Sequence, residues 1–256
     1  MSKSIFVSGG AAGLGREVAI KFHKAGWTVG AYDIDQAGLA DLQKRYPDIH
    51  VGPLDVTNSD EWERALEDFT SKTGGRLDVL DNNAGIIADG DITAQSPGQI
   101  AAQVNVNCTG LTLGARAAHK YLKNTPGSHL VNMCSASAIY GQPHIAVYSA
   151  SKFYVYGMTQ ALDLEWRKDD IRVVALMPLW AKTKLADVDA ASTKRLGVNI
   201  TPEQVADKVW ESVHPDGVRS KLRCFYSVST MDLVMRYAAR LAPAPATRLV
   251  NRLIAG

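Results

Sequence analysis

The 256-residue sequence predicts an α/β protein, a single domain over 1–256 built on a doubly wound parallel sheet with helices on both faces. Three observations predict it. Short apolar, β-branched runs alternate with segments of helical periodicity along most of the chain. The runs are mostly hydrophobic, as strands covered on both faces are. A glycine-rich turn stands between the first run and the first helix, where a parallel sheet with right-handed crossovers binds ligands.

The elements follow in order. Ser4–Ser8 reads as a buried strand and Arg16–Ala25 as a helix with Val18, Ala19, Phe22 and Ala25 on one face. Thr28–Tyr32 is a second strand, and Gln36–Arg45 a helix that Pro47 ends. His50–Leu54 is a third strand, followed by a helix over Ser59–Lys72 with Asn58 or Ser59 as its cap. Leu77–Asn82 is a fourth strand. Ile100–Lys123 reads as one long helix, closed by Asn124-Thr125-Pro126-Gly127. His129–Cys134, Val147–Arg167 and Arg172–Met177 are strand, helix and strand. Residues 182–200 read as an irregular substrate loop after a strand's carboxyl end. Thr201-Pro202-Glu203-Gln204 opens another helix, Lys221–Val228 is a last strand, and 229–256 forms an amphipathic helical tail.

Composition excludes several classes. With 46% hydrophobic and 21% charged residues the chain is not disordered, and a net charge of +2 leaves no basic footprint for nucleic acid. Cys108, Cys134 and Cys224 lie far apart, with neither metal-ligand spacing nor a disulfide framework. The expectation is reduced thiols, no metal and a cytoplasmic protein. No apolar signal-peptide core follows Lys3, and the charge-poor stretch Ile92–Ala115 is broken by Gln, Asn, Pro and Gly.

The turn is Ser8-Gly9-Gly10-Ala11-Ala12-Gly13-Leu14-Gly15. Gly9, Gly13 and Gly15 let the backbone turn tightly and approach a pyrophosphate. The helix starting near Leu14 aims its free N–H groups and positive dipole end at the phosphates. A purely structural turn is the alternative, and the strand–loop–helix context argues against it. The second strand runs into Asp33, whose carboxylate can accept both ribose hydroxyls of an adenosine and repels a 2′-phosphate. No basic residue directly follows Asp33 or precedes Gly13, so NAD is favoured over NADP. Asp33 as a helix cap is the alternative, a role Asp35 fills equally well.

Tyr148-Ser149-Ala150-Ser151-Lys152 begins a helix, and residues four apart share a face. An ammonium beside a phenol favours the phenolate, and such a tyrosine passes a proton to or from a hydroxyl or carbonyl oxygen. The spacing alone is weak evidence. Its position adds to it, because the preceding strand ends near Ser135, at the carboxyl edge of the sheet. Asn107 stands among apolar residues of the long helix and needs partners when buried. It reads as the anchor of a water leading to Lys152.

These residues together resemble the short-chain dehydrogenase/reductase superfamily, in its subclass of about 250 residues. The resemblance runs from Ser4 to about Thr183 and rests on Gly9/Gly13/Gly15, Asp33, Asp55-Val56, Asn82-Asn83-Ala84-Gly85, Asn107, Ser135, Tyr148 and Lys152. It implies a Rossmann-like fold and hydride transfer between a nicotinamide and a carbon bearing an alcohol or ketone oxygen. Tyr148 is then the general acid/base. Lys152 lowers its pKa and holds the nicotinamide ribose, Ser135 orients the substrate oxygen, and Asn107 anchors a water relay. Ala12 and Leu14 join the three glycines at the phosphates. Asp55 and Val56 flank the adenine, and Asn83, Ala84 and Gly85 line the cofactor groove. Ala181 and Thr183 match positions that bind the carboxamide, and Pro178 joins the cofactor-binding set.

There are departures. Pro178-Leu179 stands where Pro-Gly is usual, so Leu179 and Trp180 reshape the substrate mouth. Cys134 replaces a frequent serine and reads as a small buried filler. The usual Asp-Gly-Gly ending is missing, which weakens the expectation of a tetramer. A homodimer through Ile100–Lys123 and Val147–Arg167 remains implied.

Candidate substrate residues are Ser135, Ser137, His144, Trp180 and Leu185, with Ala136, Ile139, Gln142, Tyr154 and Leu179 around them. Most are apolar or aromatic, which suits a small-molecule lipophilic secondary alcohol or ketone. An ordinary loop histidine is the preferred reading of His144, and a bond to a substrate polar group the alternative. Residues 219–256 carry Arg219, Lys221, Arg223, Arg236, Arg240, Arg248 and Arg252 against Asp232 alone. Met231, Val234, Met235, Ala238 and Leu241, then Leu249, Val250, Leu253 and Ile254, form apolar stripes. Packing on the fold or on a partner subunit is the preferred reading, and an anionic membrane surface the alternative. Three functions remain: an NAD-dependent dehydrogenase or reductase, a membrane-surface dehydrogenase of lipid-derived substrates, and a non-catalytic dinucleotide-binding regulator.

Overall fold

The computed structural model describes residues 2–255. Seven parallel strands form one sheet: β1 (Ser4–Ser8), β2 (Thr28–Asp33), β3 (His50–Pro53), β4 (Val79–Asn82), β5 (Ser128–Met133), β6 (Ile171–Leu176) and β7 (Phe225–Tyr226), in the order β3-β2-β1-β4-β5-β6-β7. The order reverses between β1 and β4, which pair through Ile5–Val79, Phe6–Leu80 and Val7–Asp81. A crevice opens beyond the carboxyl ends of strands at such a reversal.

Helices cover both faces. Ile5, Val7, Val79, Val131, Val174 and Leu176 share one core with Val18 and Phe22 of α1 (Gly13–Lys24), Leu39 of α2 (Gln36–Arg45), and Val205 and Val209 of α8 (Pro202–Val213). Phe6, Leu80, Leu130 and Val173 point the other way. They pack with Trp62 and Phe69 of α3 (Ser59–Ser71), Ala118 and Leu122 of α5 (Leu111–Lys123) and Leu162 of α6 (Ala146–Glu165). Successive strand side chains face opposite layers, and both layers are buried, which explains the largely apolar runs.

Three segments differ from the sequence expectation. The long helix starts at Pro97, where Ser96 and Gln99 form a capping box, and it is not uniform. A π turn over Asn105–Gly110 separates α4 (Pro97–Val104) from α5. The loop over 182–200 contains a 3₁₀ turn, Lys184–Ala186, and α7 (Ala191–Leu196), too short to show a period. Lys221–Val228 forms only the two-residue β7, preceded by α9 (Val218–Lys221). Here the Arg172 guanidinium takes the carbonyls of Ser212 and Ser220, at 3.3 and 3.1 Å, in place of a ladder.

The tail forms α10 (Thr230–Leu241) and α11 (Ala244–Ala255), interrupted at Ala242-Pro243. The Asp232 carboxylate is fully buried and accepts from the N–H groups of Val228 and Ser229. α11 returns across α7, where Arg195 donates to the carbonyl oxygens of Arg252 and Leu253, and Asn251 donates to that of Gly141. Met231, Val234, Leu241, Leu249, Val250 and Leu253 face solvent. The side chains of Arg219, Lys221, Arg240 and Ile254, read above as part of the basic stripes, lie outside the described residues. Among the described residues no helix is long and apolar enough to cross a membrane.

Candidate active site

The site begins where two loops are stitched together. The Asn83 amide donates to the carbonyls of Ser8 and Gly9, at 3.1 and 3.2 Å, and the Ser8 hydroxyl accepts from the N–H groups of Asn83 and Ala84. Gly9 adopts φ +71°, and a Cβ there would lie 2.9 Å from the Ala84 Cα. A Cβ on Gly15 would run into the Gly9 carbonyl and the Asn83 amide. The first turn of α1 has neither an acidic residue nor a side-chain cap, so its N–H end is left to a ligand.

Asp33 ends β2. Its carboxylate accepts from Ala11 N–H at 3.1 Å and Asp35 N–H at 3.0 Å, while Asp35 itself caps α2 through Gly38 N–H. The capping role therefore belongs to Asp35, and Asp33 lines the cavity. Arg16, one turn into α1 and passed over in the sequence reading, lines the same end. Its guanidinium is held by Asp41 at 2.5 Å and donates to the Ala11 carbonyl.

The cavity has a volume of about 610 Å³, within the range of ligand pockets. It runs from Gly9, Ala12, Gly13, Leu14 and Asp33, past Asp55, Val56 and Asn83–Gly85, to Ser135, Tyr148 and Lys152. Pro178, Ala181 and Thr183 line it further on. An extended dinucleotide fits this set: a carboxylate at one end, an uncapped helix N-terminus and glycine cradle in the middle, and proton-bearing groups at the other end.

Tyr148 and Lys152 rise from the first turns of α6. The Lys152 ammonium donates to the Met133 carbonyl at 2.8 Å and lies 5.5 Å from the Tyr148 ring centroid. Tyr148 is packed among Ile145, Trp180 and Ala190. Burial pushes its hydroxyl above the usual phenol range, a hydrogen bond from Ser135 works against this, and burial pushes the Lys152 ammonium down. The sequence expectation was a Tyr148 drawn down by Lys152. In the protein alone, desolvation dominates, and Ser135 rather than Lys152 is the group that opposes it.

Asn107 lies in the π turn, behind the cavity wall. Its Oδ1 accepts from Ile86 N–H, and its Nδ2 donates to the Ile86 carbonyl and the Ser151 hydroxyl, all within 3.0 Å. Both amide hydrogens are thus taken by protein acceptors, and the side chain clamps the segment after Gly85. The Ser151 hydroxyl donates in turn to the Tyr148 carbonyl at 2.7 Å.

On the substrate side, Ala136, Ser137, Gln142, Leu179, Trp180 and Leu185 line the cavity. His144 does not: a left-handed φ of 63° turns its ring outward to Asp91, at 3.5 Å. Tyr154 sits on the outer face of α6 with its hydroxyl on Thr112. The Cys134 thiol meets the Lys152 carbonyl, and burial pushes it up to about 11, which leaves it unreactive near neutral pH. Ser192 was missed by the sequence reading, because a serine in an irregular segment gives no signal; it is fully enclosed between Trp180 and Gln142.

The short chain dehydrogenase family model matches residues 3–193. A 3-oxoacyl-[acyl-carrier-protein] reductase of Thermotoga maritima is 32% identical over 218 residues, covering 81% of this chain and 88% of its own. A 3alpha-hydroxysteroid dehydrogenase of Mediterraneibacter gnavus is 33% identical over 190 residues, covering 72% and 76%. Among solved structures, a 3-ketoacyl-(acyl-carrier-protein) reductase of Brucella melitensis complexed with NADH superposes with a TM-score of 0.79 at 25% identity, over 88% of this chain and 95% of its own. A gluconate 5-dehydrogenase of Burkholderia cenocepacia in complex with NADP and tartrate shares the fold at a TM-score of 0.79, 23% identity and 91% and 96% coverage. With its parallel sheet, glycine cradle and family match together, the chain belongs to the short-chain dehydrogenase/reductase family of oxidoreductases acting on CH–OH and C=O groups.

Proposed function

We propose that the protein is an NAD-dependent dehydrogenase or reductase interconverting a lipophilic secondary alcohol and its ketone. The observation that carries this reading is one continuous cavity joining Asp33 to Ser135, Tyr148 and Lys152. Bound NAD supplies the hydride acceptor, and NADH the donor. Ser135 holds the substrate oxygen. Tyr148 takes the hydroxyl proton as the carbon loses its hydride, and returns it to the carbonyl oxygen in reduction. Burial alone holds Tyr148 protonated, so Lys152 and the positive charge of an oxidised nicotinamide together favour the phenolate that oxidation requires.

Asp33 supports NAD over NADP, because its carboxylate faces the place of a 2′-phosphate while Asp41 occupies the Arg16 guanidinium. The related reductase and hydroxysteroid dehydrogenase support a carbonyl substrate, and the apolar walls at Leu179, Trp180 and Leu185 support a lipophilic one. Exposed Val104, Phe153 and Leu164 on α4 and α6 support a homodimer through those helices. A cytoplasmic setting accords with three free thiols. A non-catalytic role is not favoured, since Ser135, Tyr148 and Lys152 all reach the cavity.

The test is NADH formation from NAD across a panel of secondary alcohols, with Tyr148→Phe in parallel. Turnover should fall by at least about a hundredfold in the variant. Turnover that persists would refute Tyr148 as acid/base.

A further inference from the structure

A chain of buried polar groups runs from Trp180 to the catalytic edge of the sheet. The Trp180 indole Nε1 donates to the Ser192 hydroxyl at 3.0 Å. Ser192 donates to Gln142 Oε1 at 2.5 Å, and Gln142 Nε2 donates to the Ser137 hydroxyl at 3.1 Å. The Ser137 N–H then donates to Ser135 Oγ at 3.1 Å. The four side chains from Trp180 to Ser137 are each more than nine-tenths buried.

The bonds run one way along the chain. An indole N–H can only donate, so Ser192 accepts from it, and Ser192 gives its own proton to Gln142. Gln142 presents its oxygen to Ser192 and its NH₂ to Ser137. Ser137 accepts through one lone pair and keeps its proton. Among the described residues no acceptor takes that proton, and Ser137 lines the cavity beside Ser135.

We propose that Ser137 is a fixed hydrogen-bond donor to substrate, oriented by Trp180, Ser192 and Gln142. The site then selects compounds with a second oxygen acceptor on the carbon next to, or next but one to, the reacting carbon. Ser135 and Ser137 sit two residues apart on one turn, which sets that short separation. A monofunctional ketone leaves the buried Ser137 proton unmatched, and an unmatched buried donor is what gives a polar pocket its discrimination. The inference rests on the cavity being the carbonyl site of the proposed function.

The experiment compares NADH-dependent reduction of 2,3-butanedione with that of 2-butanone by the full-length protein. The ratio of the two kcat/KM values is taken for wild type, Ser137→Ala, Gln142→Leu and Ser192→Ala. Diketones are intrinsically more electrophilic, and that factor cancels when variant and wild-type ratios are divided. Ser137→Ala should lower the ratio about tenfold, chiefly through KM for the dione. Gln142→Leu should lower it by a similar factor, and Ser192→Ala by about threefold, because the freed amide is no longer held in one orientation. Circular dichroism checks that each variant folds, and Ser137→Ala, the smallest change, carries the test if the others do not. An unchanged ratio in Ser137→Ala overturns the inference alone. Absence of turnover of any ketone or secondary alcohol by the wild type overturns the proposed function and the inference with it.

Discussion

Asp81 gives the most direct physical test of the fold. It stands in β4, in register between Val7 of β1 and Val131 of β5, fully buried, with no hydrogen-bond partner for either carboxyl oxygen among the described residues. Burial pushes its pKa up to about 8 from an ordinary 3.8. The folded state therefore holds the proton more tightly than the unfolded chain. Its contribution to stability is fullest below about pH 4 and is lost as pH rises toward about 8. At pH 7 the gap to the unfolded value spans about three pH units, an upper bound of about 4 kcal/mol. At pH 7 the folded group is mostly protonated, and its buried carboxyl without a hydrogen-bond partner costs about 1–3 kcal/mol.

Asp81→Val places a β-branched group between two valines. It should raise stability at pH 7 by about 2 kcal/mol and Tm by about 6 °C for a chain of this size. Thermal denaturation followed by circular dichroism at pH 5 and pH 8 reads both the size and the sign. Wild type should gain more on acidification than the variant, because all other titrations cancel between them. A variant no more stable than wild type, or one with the same pH slope, would show that the Asp81 charge is compensated in the fold and would refute the reasoning.

Three further outcomes follow from the site. Asp33→Ala should raise kcat/KM for NADP relative to NAD at least tenfold, since the repelling carboxylate goes and Arg16 stays; equal use of both cofactors by the wild type would contradict the preference. Gly15→Ala should abolish NAD binding by titration and lower stability by about 1–3 kcal/mol, because the new Cβ meets backbone oxygen that cannot move alone; normal affinity would mean the turn is not the cradle. Asn107→Ala leaves the Ile86 N–H and carbonyl without partners, so Tm should fall and kcat drop at least tenfold, each at a cost of about 1–3 kcal/mol. A variant with wild-type kcat would show that the clamp on Ile86 does not hold the site.

Some of this was legible in the sequence, for identifiable reasons. The β1–α1 turn was readable because Gly9 and Gly15 occupy places where any Cβ collides. The α2 boundaries, Gln36–Arg45, were readable because a cap and a proline bracket the helix. Tyr148 and Lys152 were readable as a pair on one helical face, but not their energetics, because desolvation depends on Ile145, Trp180 and Ala190 arriving from other segments. His144 was left between a loop and a substrate role, because a residue's side of a loop is decided by a backbone angle that the sequence does not show. Asp81 passed as part of an apolar strand, and its isolation emerges only once β1 and β5 flank it. The π turn left no trace because one extra residue barely disturbs the apolar spacing of a long helix.

That extra residue has a bearing on how the chain tolerates length changes. Each residue of an α-helix advances the backbone by about 100° and 1.5 Å. The turn over Asn105–Gly110 is thus a frame shift within one rod: α4 and α5 are wound in two different phases. Upstream phase is tied to Ala88, whose N–H donates to Gln103, and downstream phase to the sheet through Leu111, Ala118 and Leu122. Deleting one residue there would merge the phases, leaving a smoother helix that keeps one attachment and forfeits the other. Reinsertion anywhere within the same turn should restore both, whereas reinsertion beyond Lys123 should not.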